Sequence, residues 1–155
     1  MSSSDLWPDN FGTEPLVTPA SILRAQAAAL GRKTNHLVEG EVEPRTTPSD
    51  FIYSLDLVAP ALDNYRYRLL TIRHGIGLYP VAVSLEAARY NYEPAKTQAE
   101  LEETLRMAFG DDKTILVIRS LIKQSEGDEL PLPKRKMRAK AGRPAPPVEP
   151  SWDQD

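Results

Sequence analysis

From His36 to Leu85 apolar residues recur at every second position, in runs separated by only a few turn-forming residues. A period of two places alternate side chains on opposite faces of a strand, so each run reads as a half-buried strand. Leu37, Glu39 and Glu41 alternate with Val38 and Val42; Phe51, Tyr53, Leu55 and Leu57 alternate with Ser54 and Asp56; Tyr65, Tyr67 and Leu69 alternate with Arg66 and Arg68. A fourth run, Ile76–Leu85, is nearly all apolar, and Pro80 within it argues for an edge position, a bulge or a break. The separators Pro44–Pro48, Pro60–Asn64 and His74–Gly77 are too short for the crossovers that parallel neighbours need. A sequential antiparallel meander of four strands is therefore expected.

Helical periodicity flanks the strand region. Thr18-Pro19-Ala20-Ser21-Ile22 opens a helix, because Thr can cap a free N–H, Pro suits the first helical position and Val17 can pack onto Ile22. Ile22, Leu23, Ala27 and Leu30 then form one stripe, with Gly31 as the stop. Thr97 and Glu100 have capping-box spacing, and Leu101, Leu105, Ala108 and Phe109 continue the stripe to Gly110. A last helix starts at Asp111 or Asp112; Ile115, Leu116, Val117, Ile118, Leu121 and Ile122 cover more than half its circumference, which predicts the most buried helix. The short Gly110-Asp111 joint invites comparison with a helix-turn-helix, but a recognition helix must offer polar side chains to base edges, and this one offers mainly Lys113, Arg119 and Lys123. The predicted fold class is α+β: an N-terminal helix, a four-stranded antiparallel meander and two C-terminal helices packed on one sheet face.

Composition sets the ends apart from this domain. Six of the 14 prolines fall in residues 126–155, where Leu130, Leu132, Met137, Val148 and Trp152 are the only large apolar side chains. Such a segment cannot bury enough surface to offset its ordering entropy. The expected organisation is a flexible segment over residues 1–14, in which Leu6, Trp7 and Phe11 can anchor on the domain, a single α+β domain over 15–125, and a disordered basic and proline-rich tail over 126–155. The sequence shows no internal repeat. No run approaches the ~18 apolar residues of a membrane-crossing helix, and the start Met-Ser-Ser-Ser-Asp-Leu-Trp-Pro lacks basic and apolar leader regions, so a cytoplasmic location is expected.

The chain has no cysteine, which excludes disulfides, zinc ribbons, cysteine nucleophiles and thiolate-held clusters. It also lacks a Walker loop, a G-x-G-x-x-G turn, an H-E-x-x-H helix and a G-x-S-x-G elbow, which argues against an enzyme. His36 and His74, with Asp56 or Asp63, have no metal-ligand spacing, and neither metal nor cofactor is expected. The densest polar constellation is Arg66, Arg68 and His74. By even spacing on a strand they would share a face, where guanidinium forks and an imidazole could hold a phosphate or carboxylate. The competing expectation is that Glu39, Glu41 and Asp56 neutralise those arginines by cross-strand ion pairs.

The tail carries the most distinctive block. Lys134, Arg135, Lys136, Arg138, Lys140 and Arg143 place six cations in ten residues of a chain whose net charge is −3, so the rest sums to −9. A segregated basic arm can neutralise nucleic-acid phosphates, or it can solubilise the tail and pair with its acidic flanks. Gly142-Arg143-Pro144 partly resembles the core of an AT-hook, with Ala141 where that motif has a second arginine. Trp152 among acidic residues after Pro144–Pro150 reads either as a peptide ligand for a basic, apolar pocket or as an inert linker end. The expected function is a non-enzymatic protein-interaction module with a basic tail that attaches to nucleic acid. The alternatives are a small enzyme or ligand-binding domain for a phosphorylated or anionic compound, and a toxin-neutralising or effector-binding partner protein.

Overall fold

The computed structural model describes residues 4–127. The basic block Lys134–Arg143 and the Trp152 terminus lie outside the described residues. In chain order the elements are α1 (Pro19–Lys33), β1 (Glu39–Thr46), β2 (Phe51–Ala59), a 3-10 turn (Pro60–Leu62), β3 (Tyr65–His74), β4 (Ala82–Leu85), β5 (Tyr90–Asn91), α2 (Gln98–Phe109) and α3 (Asp112–Ser125). The strands pair antiparallel in the order β1-β2-β3-β4-β5, a meander as expected with one strand more. No helix among the described residues is long and apolar enough to cross a membrane.

Local chemistry sets the boundaries. The Thr18 hydroxyl accepts from Ser21 N–H at 3.1 Å with Pro19 at the first helical position. Gly31 is not the stop: α1 continues to Lys33. Thr34 then directs the chain into the sheet, its hydroxyl donating to Val38 C=O at 2.9 Å and accepting from Val38 N–H at 3.1 Å. Asp63 and Asn64 both take the left-handed conformation that short polar residues tolerate, turning the chain from the 3-10 turn into β3. The fourth apolar run breaks at Pro80, so Ile76–Pro80 is a loop and pairing resumes at Val81, which bridges Ala95. Thr97 and Asp111 cap α2 and α3, accepting from Glu100 N–H at 3.1 Å and Lys113 N–H at 2.8 Å.

All three helices cover one face of the sheet. Leu30 of α1, Leu55 and Leu69 of the sheet, Phe109 of α2 and Ile118 of α3 meet around a cavity of about 220 Å3. The buried core beneath joins Leu23, Val38, Leu57, Leu70, Ile72, Val83, Leu85, Leu101 and Leu105. α1 lies close on β1 because Gly40 faces Ala27 there: a Cβ on Gly40 would sit 2.8 Å from the Cα and Cβ of Ala27.

Two packing expectations fail. α3 buries only Thr114 and Leu121, while Ile115 and Leu116 stand exposed. Its apolar residues exceed what β2, the 3-10 turn and α2 can cover. The Leu6, Trp7 and Phe11 side chains do not anchor on the domain. They are 92%, 73% and 80% exposed, and the two aromatic rings meet each other edge-on with centroids 6.1 Å apart.

Candidate functional site

The face of the sheet away from the helices is open, and its register sorts the charges. Reading across β1, β2 and β3, one row holds Arg45, Ile52 and Arg73; the next holds Glu43, Ser54 and Thr71; the next holds Glu41, Asp56 and Arg68; and Val58 lies opposite Arg66. β4 and β5 extend the middle row with Ser84 and Asn91.

At one end the arginines are neutralised. Asp56 is 1% exposed, and its carboxylate accepts from Arg66 Nη1 and Arg68 Nε, each at 2.9 Å. The outer Nη2 groups reach β1, Arg66 to Glu41 at 2.5 Å and Arg68 to Glu43 at 2.6 Å. Burial alone would raise the Asp56 pKa. The hydrogen bonds and charges of Arg68 and then Arg66 outweigh it, and the carboxyl titrates below the ordinary aspartate range. The ion pairs expected on this face are therefore present, with Glu43 in place of Glu39, which turns to the His36 imidazole at 2.7 Å.

His74 does not belong to this constellation. The ladder between β2 and β3 slips at Leu55/Asp56, where Leu55 faces Leu70 and Asp56 faces Arg68, so Leu69 is an extra residue. Even positions of β3 before the bulge face the open side, and even positions after it face the helices. His74 is consequently buried on the helix side, stacked near Phe51 and Tyr53 at 5.6 and 5.8 Å, with Nδ1 donating to Gly75 C=O at 2.7 Å. Even spacing across Leu69-Leu70 was misleading. The leucine doublet followed by Thr71, Ile72 and Arg73 is the signal that could have revealed the switch.

The same slip turns Arg73 outward, and Arg73 with Arg45 are the functional candidates that even spacing missed. They flank buried Ile52 on adjacent strands, and neither lies within ion-pair distance of a carboxylate among the described residues. Both line a depression of about 460 Å3 with Arg68, Ser54, Thr71, Ser84, Asn91 and Glu86. Its polar groups are pre-set: Ser84 Oγ donates to Asn91 Oδ1 at 2.8 Å, Thr71 Oγ1 donates to Glu86 Oε2 at 3.2 Å, and the Ser54 and Thr71 hydroxyls lie 3.4 Å apart. The depression thus gathers two guanidinium forks that form no ion pair among the described residues, a line of hydroxyls and the Glu86 carboxylate. No group of three or more metal-ligating side chains forms among the described residues, and His36, His74, Asp56 and Asp63 make no shared site.

Fold and face together define an α+β protein with one helix-covered and one open, arginine-bearing face of an antiparallel sheet. No protein-family model, no curated protein and no solved structure matches the chain.

Proposed function

We propose that the protein is a binding module whose open sheet face takes an oxyanion, phosphate or carboxylate, carried by a larger ligand. The observation that carries this reading is the Arg45–Ile52–Arg73 row, in which two arginines without carboxylate partners among the described residues share one concave surface with a line of hydroxyls. Arg66 and Arg68 are poor candidates for the contact, because Asp56, Glu41 and Glu43 occupy their forks. Glu86 on the rim repels a second negative charge and favours ligands whose anionic group sits at the Arg45 end. Binding rather than turnover fits the hydroxyls here: Thr71 and Ser84 are engaged with Glu86 and Asn91, and the imidazole of His74 is on the other face. In this reading Lys134, Arg135, Lys136, Arg138, Lys140 and Arg143 add diffuse attraction to a polyanion.

The test is a titration of the full chain with inorganic phosphate, acetate and a short phosphorylated oligonucleotide, followed by amide chemical shifts. Saturable shifts at Arg45, Ser54, Thr71 and Arg73 are expected. Arg45→Ala with Arg73→Ala should weaken the response by about tenfold or more while unfolding stays near wild type, since both side chains are exposed. Unchanged affinity in that variant would sink the reading.

A second reading, contact with a protein partner, is favoured by apolar side chains that the core leaves out, Leu6, Trp7 and Phe11 at one site and Ile115 and Leu116 at another.

A further inference from the structure

An apolar groove of about 530 Å3 runs between α3 and the start of β3. Leu62, Tyr65, Tyr67, Leu116, Val117 and Leu121 supply its apolar lining. Among the described residues nothing fills the groove, and Leu116 is 64% and Tyr65 50% exposed. The same chain carries an apolar element left exposed among the described residues, the Leu6-Trp7-Pro8-Asp9-Asn10-Phe11 arm, whose two aromatic rings meet edge-on.

The charges of the two are complementary. Residues 4–17 contain Asp5, Asp9 and Glu14 and no lysine or arginine. Lys113 and Lys123 stand exposed on α3, the first on the helical face of the groove residues and the second on its flank, and neither is in an ion pair among the described residues. An acidic arm with aromatic anchors fits an apolar groove whose α3 wall carries Lys113 and Lys123.

Geometry disfavours docking within one chain. The arm joins α1 at Thr18, beside Phe51, Tyr53 and His74, whereas the groove lies at the opposite end of β2 and β3, beside Leu62 and Tyr65. β2 alone spans about 26 Å between these ends at ~3.3 Å per residue. From Phe11 to Thr18 the chain reaches about 25 Å when fully stretched, which leaves no slack to crest the helices and seat the ring pair.

We infer that the protein self-associates by exchanging these arms, each copy seating its Trp7 and Phe11 in the α3 groove of a second copy. A two-fold pair makes the contact twice and closes. Four aromatic rings at about 150–250 Å2 each, with the groove surface they cover, bring the interface into the ~1,200–2,000 Å2 range of specific complexes. This inference is independent of the open face.

Sedimentation velocity of the full chain over a concentration series tests it. A concentration-dependent dimer is expected, weakened at least about tenfold by Trp7→Ala with Phe11→Ala, and equally by Leu116→Asp, which adds a charge that repels the acidic arm. Both variants alter exposed side chains and should fold, which circular dichroism checks. Mixing them should restore one contact, because one chain retains a working arm and the other a working groove, and the mixture should associate more than either variant alone. A wild-type chain that stays monomeric at high concentration, a dimer indifferent to both variants, or a mixture no better than its components would each overturn the inference.

Discussion

Asp56 holds a negative charge at a position that solvent does not reach, and it keeps that charge because two guanidinia lie against it. Its folded pKa is lower than that of an unfolded chain. The charged form therefore stabilises the fold fully above the ordinary aspartate value of ~3.9, and that contribution is lost as pH falls through the lower folded value. Asp56→Asn should cost about 1–3 kcal/mol at neutral pH, because the arginines lose their central acceptor but remain half exposed beside Glu41 and Glu43. Urea unfolding should show a gap between wild type and variant that is constant from pH 7 to about 5 and closes in acid. A gap that widened in acid would mean that the carboxyl is not held low. Gly40 is constrained by space instead. Gly40→Ala would drive a methyl into Ala27 of α1, and a loss of about 1–3 kcal/mol is expected in the same assay.

Elements whose limits depend on local chemistry were legible in the sequence. The Thr18 and Thr97 caps, the start of α3 at Asp112, the paired-strand periodicity of Phe51–Leu57 and the Pro60–Asn64 separator correspond to observed features, because capping and alternation act over a few residues. β1, by contrast, runs on through Pro44, Arg45 and Thr46 into the expected Pro44–Pro48 separator, because those residues pair with Tyr53, Ile52 and Phe51. What failed depended on neighbours. The Leu69 bulge reverses which face β3 presents, so it moves His74 away from Arg66 and Arg68 and brings Arg73 beside Arg45. α3 reads as the most buried helix because its apolar residues cover more than half its circumference, but the sheet and the neighbouring helix offer less surface than those residues could cover. Its two sides should respond differently to charge. Leu121→Asp should destabilise by about 3 kcal/mol or more as an unpaired buried charge, Ile118→Asp by somewhat less from its half-buried place against Leu30 and Phe109, and Leu116→Asp hardly at all. Denaturation midpoints of the three variants rank them directly, and a different order would mean that α3 packs another way.

At the scale of the whole molecule, charge is divided between an acidic remainder summing to −9 and the cations of Lys134–Arg143. The two proposed anion contacts should therefore respond differently to salt. A compact oxyanion held by Arg45 and Arg73 meets two fixed forks, and its affinity should fall only gently as salt rises. A duplex DNA drawn by the tail meets up to six cations, and each phosphate neutralised contributes about −0.9 to the slope of log affinity against log salt. Engagement of several tail residues predicts a slope of about −3 to −5 for the full chain. Ending the chain after Gly127 should flatten that slope and spare phosphate binding, because α3 is already capped by Glu126. The Arg45→Ala and Arg73→Ala pair should do the reverse. A minor-groove hook would in addition prefer A·T-rich duplexes and lose the preference on Arg143→Ala. With Ala141 in place of the second arginine, equal weakening on every sequence is expected instead. Filter binding across a salt series with both variants separates these outcomes, and a salt-independent affinity would remove the tail from the binding reaction.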